Sequence, residues 1–180
     1  MNRSLLSILI LLGMGAALWG QERHHDQDAV QQEKHARHLV AAGFGFTFVP
    51  VAAEIGTSQA SGLFVPSVGL DYMFHLAKRW EIGLMLDYEL DHYMIVDSQV
   101  ERERAFLAAL VGMYKISEHW GVFTGGGIEI EPHEHLAVFR LGTEYSIDLK
   151  KNWLLIPKFY FDLKKNYDTW SLQLSIGKKF

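Results

Sequence analysis

Two-residue alternation of apolar and polar positions begins near His38 and runs almost to the last residue. Its clearest stretch is the final one. There Trp170, Leu172, Leu174, Ile176 and Phe180 share one parity, and Ser171, Gln173, Ser175, Gly177 and Lys179 share the other. Phe44, Phe46 and Phe48 alternate in the same way with Gly43, Gly45 and Thr47, and Val68, Leu70 and Tyr72 with Ser67, Gly69 and Asp71. Trp80, Ile82, Leu84, Leu86 and Tyr88 alternate with Glu81, Gly83, Met85, Asp87 and Glu89. A period of two marks strands whose faces meet different surroundings. Runs bounded by polar, turn-like clusters predict eight strands, over 38–50, 61–75, 79–92, 103–116, 119–131, 135–147, 152–164 and 168–180. In 103–116 both parities are apolar, Phe106, Ala108 and Leu110 beside Leu107, Ala109 and Val111, so the pattern sets no register there. Pro66 and Pro157 fall inside strands, where each removes a ladder hydrogen bond, and bulges are expected at both. Connections are short and no window has a helical period, so the expected fold is all-β, an antiparallel up-and-down meander.

A hairpin repeats within this pattern. Tyr72 to Trp80, Tyr114 to Trp120 and Tyr145 to Trp153 each join an aromatic strand end to a Trp that opens the next strand, across the charged linkers HLAKR, KISEH and DLKKN. Both aromatics lie on the apolar parity of their strands. Amphipathic rings just inside polar turns are the girdle of a transmembrane barrel, where they sit at headgroup level. Eight-stranded barrels are either soluble binders with an apolar cavity or membrane barrels with an apolar exterior. An eight-stranded lumen is already filled by its own side chains, which leaves no room for the Trp rows inside it. The apolar parity is therefore expected to face lipid. The polar parity then faces the lumen, with Asp71, Glu81, Asp87, Glu89, Glu129, Arg140, Glu144, Lys158, Asp162 and Lys179. Such charges persist inside a protein when paired, so they read first as an ion-paired plug and second as a narrow ion path.

The N-terminal part has a different texture. Asn2 and Arg3 precede an apolar run, Leu5 to Leu12, followed by small residues up to Ala17 and Gly20. Residues 1–20 are expected to be an export signal. Residues 21–37 are polar and rich in His, with almost nothing to bury, and are expected to form an arm ahead of the barrel, 38–180. The chain has no Cys, which removes disulfides, thiolate metal sites and a lipid-accepting Cys. The net charge is −4, and basic residues are interspersed with acidic ones rather than gathered in a stripe, which argues against nucleic acid.

The final Phe180, with Ile176, Leu174 and Leu172 behind it at alternate positions, resembles the C-terminal signature of the small bacterial outer-membrane barrels of the OmpA/OmpX type. The third residue from the end, often aromatic or apolar in that family, is Lys178 here. The resemblance covers roughly residues 38–180 and implies an outer-membrane location, with lipid and the outer-membrane assembly machinery as partners. It also implies a periplasmic C-terminus. An even strand number then places the arm and the Trp-bearing turns in the periplasm, and loops near 50–61, 91–104, 130–135 and 164–168 outside. The girdle would comprise Tyr72, Trp80, Tyr114, Trp120, Tyr145, Trp153 and Phe180. The longest outer loop, DHYMIVDSQVERER, combines Tyr93, Ile95 and Val96 with four charges in Glu101 to Arg104 and is the expected contact surface for an unidentified surface ligand.

Other chemistries find less in the chain. Of its nine His, His24, His25, His35 and His38 cluster around the arm, and His133 with His135 lies beside Glu131 and Glu134. These are adequate metal donors, but no spacing matches a structural zinc site, and solvated polar loops account for them. Some outer-membrane barrels modify lipid A with surface His, Ser and acidic groups. Here His92, Asp97 and Ser98 share one loop, yet a nucleophile needs a base and oxyanion donors within reach, and Asp and Ser are ordinary turn formers. The expectation is a non-enzymatic barrel without cofactor or metal, serving envelope integrity or surface contact. The alternatives are a lipid A-modifying enzyme and a narrow pore.

Overall fold

The computed structural model describes residues 37–53, 62–95, 100–130, 135–165 and 167–180. Their strands are β1 (His38–Val49), β2 (Ala52–Ala53), β3 (Leu63–Ala77), β4 (Trp80–Glu89), β5 (His92–Ile95), β6 (Val100–Glu103), β7 (Phe106–Lys115), β8 (Trp120–Ile130), β9 (His135–Tyr145), β10 (Ile147–Asp148), β11 (Trp153–Lys164) and β12 (Asp168–Lys179). The eight long strands β1, β3, β4, β7, β8, β9, β11 and β12 pair in that order, and β12 pairs back onto β1, so the sheet closes. Closure runs from Leu39 opposite Lys179 to Phe48 opposite Trp170. At its end the His38 and Phe180 backbones exchange hydrogen bonds of 3.2 and 2.8 Å. Every pairing is antiparallel, and the barrel has no free edge.

Alternation sets the two faces. Phe44, Leu70, Leu84, Leu110, Phe139, Leu141, Leu172, Leu174 and Ile176 are exposed on the outside, whereas their strand neighbours are buried or half-buried inside. In β7, where the sequence sets no register, Leu107, Ala109, Val111 and Met113 face inward and Leu110 outward. The interior is consequently less polar than expected. One apolar cluster brings together Leu39, Met73, Met85, Met113, Phe123 and Ile156 among others. Inward-facing Met and Val fill the gaps left between charged side chains, as close packing of so narrow a barrel requires.

The prolines behave differently from the expectation of bulges. Pro66 keeps the β1–β3 register opposite Phe46 and marks the loop-side end of the β3–β4 ladder, accepting a 2.9 Å bond from Leu90 N–H. Pro157 keeps the β11–β12 register opposite Leu174. On its other side the ladder between β11 and β9 starts at Lys158 and resumes with β10 at Leu155, so the missing N–H is absorbed as a gap. Ser146, in that gap, turns its N–H to His119 O at 2.7 Å instead. A register shift does occur between His75 and Ala77, in β3.

The end away from the chain termini is capped. Continuations of the loops form a small sheet in the order β2, β5, β6, and Val49, Ala52, Val65, Tyr93, Ile95, Leu136 and Tyr167 pack beneath it as a second apolar cluster. The loop expected to present Tyr93 and Ile95 to the surroundings therefore buries both, at 1% and 0% exposure. Polar loop residues mask this, because a strand pair folded over a barrel mouth has its own buried face. The signal, the arm with its His24, His25 and His35, and Val96, Asp97, Ser98, Glu131, His133 and Glu134 lie outside the described residues.

Candidate functional site in the barrel interior

The inward parity carries most of the chain's buried charge: Asp71, Asp87, Glu89, Glu129, Glu144 and Asp162 with Arg140, Lys158 and Lys164, joined by Arg102 from β6. Six carboxylates thus meet four bases, and the excess is met by further donors that reach in from the strand ends. Near the middle, Arg140 grips Asp162 with two bonds, Nε to Oδ1 at 2.7 Å and Nη2 to Oδ2 at 2.8 Å, and gives Nη1 to Asp87 Oδ2 at 2.6 Å. A forked guanidinium shared between two carboxylates is the strongest form of this contact. Its plane also lies over Tyr160, 4.3 Å from the ring centre. Asp87 Oδ1 accepts further bonds from Tyr160 Oη and Gln173 Nε2, each 3.2 Å. Gln173 reaches that carboxylate because Gly69 lies in its path, where a Cβ would collide with the amide nitrogen. Lys158 pairs with Asp71 beside this group.

Two further groups occupy the ends. Toward the capped mouth, Glu129 accepts from Lys164 and from Tyr167 Oη at 2.8 Å, with Arg102 Nη1 3.7 Å away. Tyr93 reaches down from β5 to donate to Glu89 Oε2 at 2.8 Å, tying the cap to the wall. Burial, and after it the Glu89 charge, pushes the Tyr93 phenol well above its ordinary value. Toward the chain termini, Lys115 bonds Glu144 at 2.9 Å and lies 4.0 Å from Glu81, which is half-buried and 3.4 Å from His75 Nδ1. Lys179, expected inside, stands at the rim with its side chain 38% exposed and pairs with Asp148 at 3.6 Å. As the last residue of β12 it lies beyond the enclosed part of the barrel.

Between the central group and the capped mouth, a cavity of about 10 Å³ lies among Thr47, Asp87, Glu89, Glu129, Arg140 and Ser171. By that measure there is room for about one water molecule. Lys115, Lys164, Tyr160 and Tyr167 complete the network, and sequence reasoning did not single them out. Lys164 and Tyr160 share the parity of Lys158 and Asp162 and were findable from it. Arg102 sits in a loop with no period, where nothing marks an inward side chain.

The aromatic residues singled out by the repeat gather at the chain-terminal end on the outer wall. Trp80 packs at a tilt against Tyr114 across β4–β7 at 5.0 Å, and Trp120 edge-on against Tyr145 across β8–β9 at 5.6 Å. Tyr72 Oη hydrogen-bonds His38 Nδ1 at 2.8 Å, and Trp153 and Phe180 flank Lys178. The two ring pairs form between neighbouring strands rather than across the turns of the repeat. Of the residues weighed as a catalytic set, His92 is described, and its backbone N–H bonds Asp91 Oδ1 at 2.8 Å.

No protein-family model matches the chain, and no curated protein matches its sequence. Solved structures do match its shape. The N-terminal β-barrel domain of Pseudomonas aeruginosa OprF superposes with a TM-score of 0.53 at 11% identity, over 81% of this chain and 98% of that one. Ail, the attachment invasion locus protein of Yersinia pestis, gives 0.49 at 9% identity, over 81% and 99%. The outer membrane protein OprG from Pseudomonas aeruginosa gives 0.46 at 12% identity, over 81% and 96%. With its closed ring of eight antiparallel strands, this chain has the fold of the small eight-stranded outer-membrane barrels.

Proposed function

We propose that the chain is a non-enzymatic outer-membrane barrel whose lumen is closed by an ion-paired plug, and that it serves envelope integrity or contact at the cell surface. The observation that carries this reading is the inversion of polarity across one wall. Large apolar side chains cover the outside of every barrel strand, far beyond the few hundred Å² that a soluble monomer leaves open, while charged groups pair inside. That distribution fits hydrocarbon outside and a filled lumen within. In this reading residues 1–20 direct export, 21–37 form the periplasmic arm, and the aromatic pairs at the chain-terminal end sit at the periplasmic headgroups. The capped mouth faces out, and the assembly machinery reads the final strand.

Expression in a Gram-negative host with fractionation and heat-modifiable gel mobility tests the membrane reading, which a soluble periplasmic product would overturn. Purified protein in planar bilayers is expected to be electrically silent, because paired charges and apolar side chains fill the described interior. Stable conductance steps would overturn the closed lumen. Conversion of labelled lipid A by the purified protein would overturn the non-enzymatic role.

A further inference from the structure

Among the described residues, Lys178 is the one lysine or arginine on the outward rows of the eight barrel strands. Its ammonium stands between two rings, 5.4 Å from the centre of Trp153 and 5.4 Å from that of Phe180. Trp153 is its register partner on β11 and Val40 its partner on β1. No carboxylate among the described residues pairs with it. Nearby charge is also mostly positive. Lys150 and Lys151 are exposed on the tight turn that leads into Trp153, and Arg37 is exposed one residue before β1, next to where His38 pairs with Phe180. Of the acids in this corner, Asp148 is already engaged by Lys179 at 3.6 Å and His119 at 3.5 Å, and the Phe180 carboxyl group accepts from His38 N–H at 3.2 Å. Along the same wall, Ile176 and Leu174 continue as exposed apolar surface, each 53% exposed.

We propose that this corner is a binding site for an anionic phospholipid, with the phosphate against Lys178 Nζ and the acyl chains along Ile176, Leu174 and Val40. The proposal rests on the membrane reading above. A lysine on a lipid-facing row keeps its charge at headgroup level while its stem covers apolar wall, and two rings hold the ammonium in place. Held by the rings, the Lys178 ammonium makes no ion pair among the described residues. A zwitterionic headgroup brings its own cation into a corner already rich in positive charge, whereas a net-negative one does not.

The test uses the full chain in phosphatidylcholine bilayer discs carrying a minor fraction of phosphatidylglycerol. Native mass spectrometry counts the lipids retained, and heat-modifiable mobility reports insertion separately. Wild type is expected to retain phosphatidylglycerol over phosphatidylcholine by about fivefold, the worth of roughly one lysine near an anionic surface. Lys178→Gln should abolish the preference, Lys178→Arg should keep it, and Lys78→Gln, on the β3–β4 turn, should leave it unchanged. An inserted wild-type barrel that retains both lipids equally would overturn the site and leave the membrane reading standing. Failure to insert would overturn both. Loss of the preference in Lys78→Gln as much as in Lys178→Gln would show attraction by the whole basic rim and overturn the assignment to Lys178.

Discussion

Arg140 ties two strands together through the middle of the lumen. Its guanidinium is buried at 1% exposure and serves Asp87 and Asp162 together. Arg140→Met keeps a similar volume but strands two carboxylates in the interior, and breaking one partner of a buried pair typically costs about 3–5 kcal/mol. The expected result is a lower temperature for the loss of heat-modifiable mobility, with the folded form still attainable. An unchanged transition would mean that Arg140 does not bind these carboxylates in the folded protein. The inward position of Arg140 was legible in the second half of β9, where Arg140, Gly142 and Glu144 share one parity and Phe139, Leu141 and Tyr145 the other. Its partners were not. Asp162 lies directly across the β9–β11 ladder, but Asp87 comes from β4, across the lumen, and a pattern along one strand says nothing about who meets whom through the middle of a barrel.

At the scale of elements, the cap over the mouth is held to the wall by Tyr93, which donates to Glu89. The folded state raises the Tyr93 phenol above its usual 10.0, through burial first and the Glu89 charge second. A group raised on folding contributes stability that is intact below its unfolded value and is lost as pH climbs from there toward the folded one. The barrel is therefore expected to weaken as pH rises above 10.0, measured as a falling transition temperature, and to weaken less steeply in Tyr93→Phe. Equal pH dependence in the two proteins would remove Tyr93 from the account. The eight long strands could be read from the sequence because each has two faces with different surroundings. The cap strands β2, β5 and β6 could not, since at 2, 4 and 4 residues they are too short to show a period and the loop residues around them are polar.

For the molecule as a whole, closure depends on the last residue as much as on the first, since Phe180 and His38 exchange backbone hydrogen bonds. An unclosed sheet in lipid leaves unsatisfied groups costing several kcal/mol each. Deleting Phe180 is expected to lower outer-membrane insertion in cells far more than refolding into detergent, because only the cell requires the terminal strand to be recognised. Fractionation and gel mobility report the two outcomes, and normal membrane levels of the truncated protein would count against a terminal signal. The sealed seam between β1 and β12 also means that the wall is a ring, in which the place where the polypeptide starts is an accident of connectivity. Joining Phe180 to Arg37 through a short linker and opening the chain between Lys78 and Arg79 should give a circular permutant that still refolds in detergent. If the permutant refolds yet fails to assemble in cells, the geometry of the wall and the instruction for building it are separable properties of the same sequence.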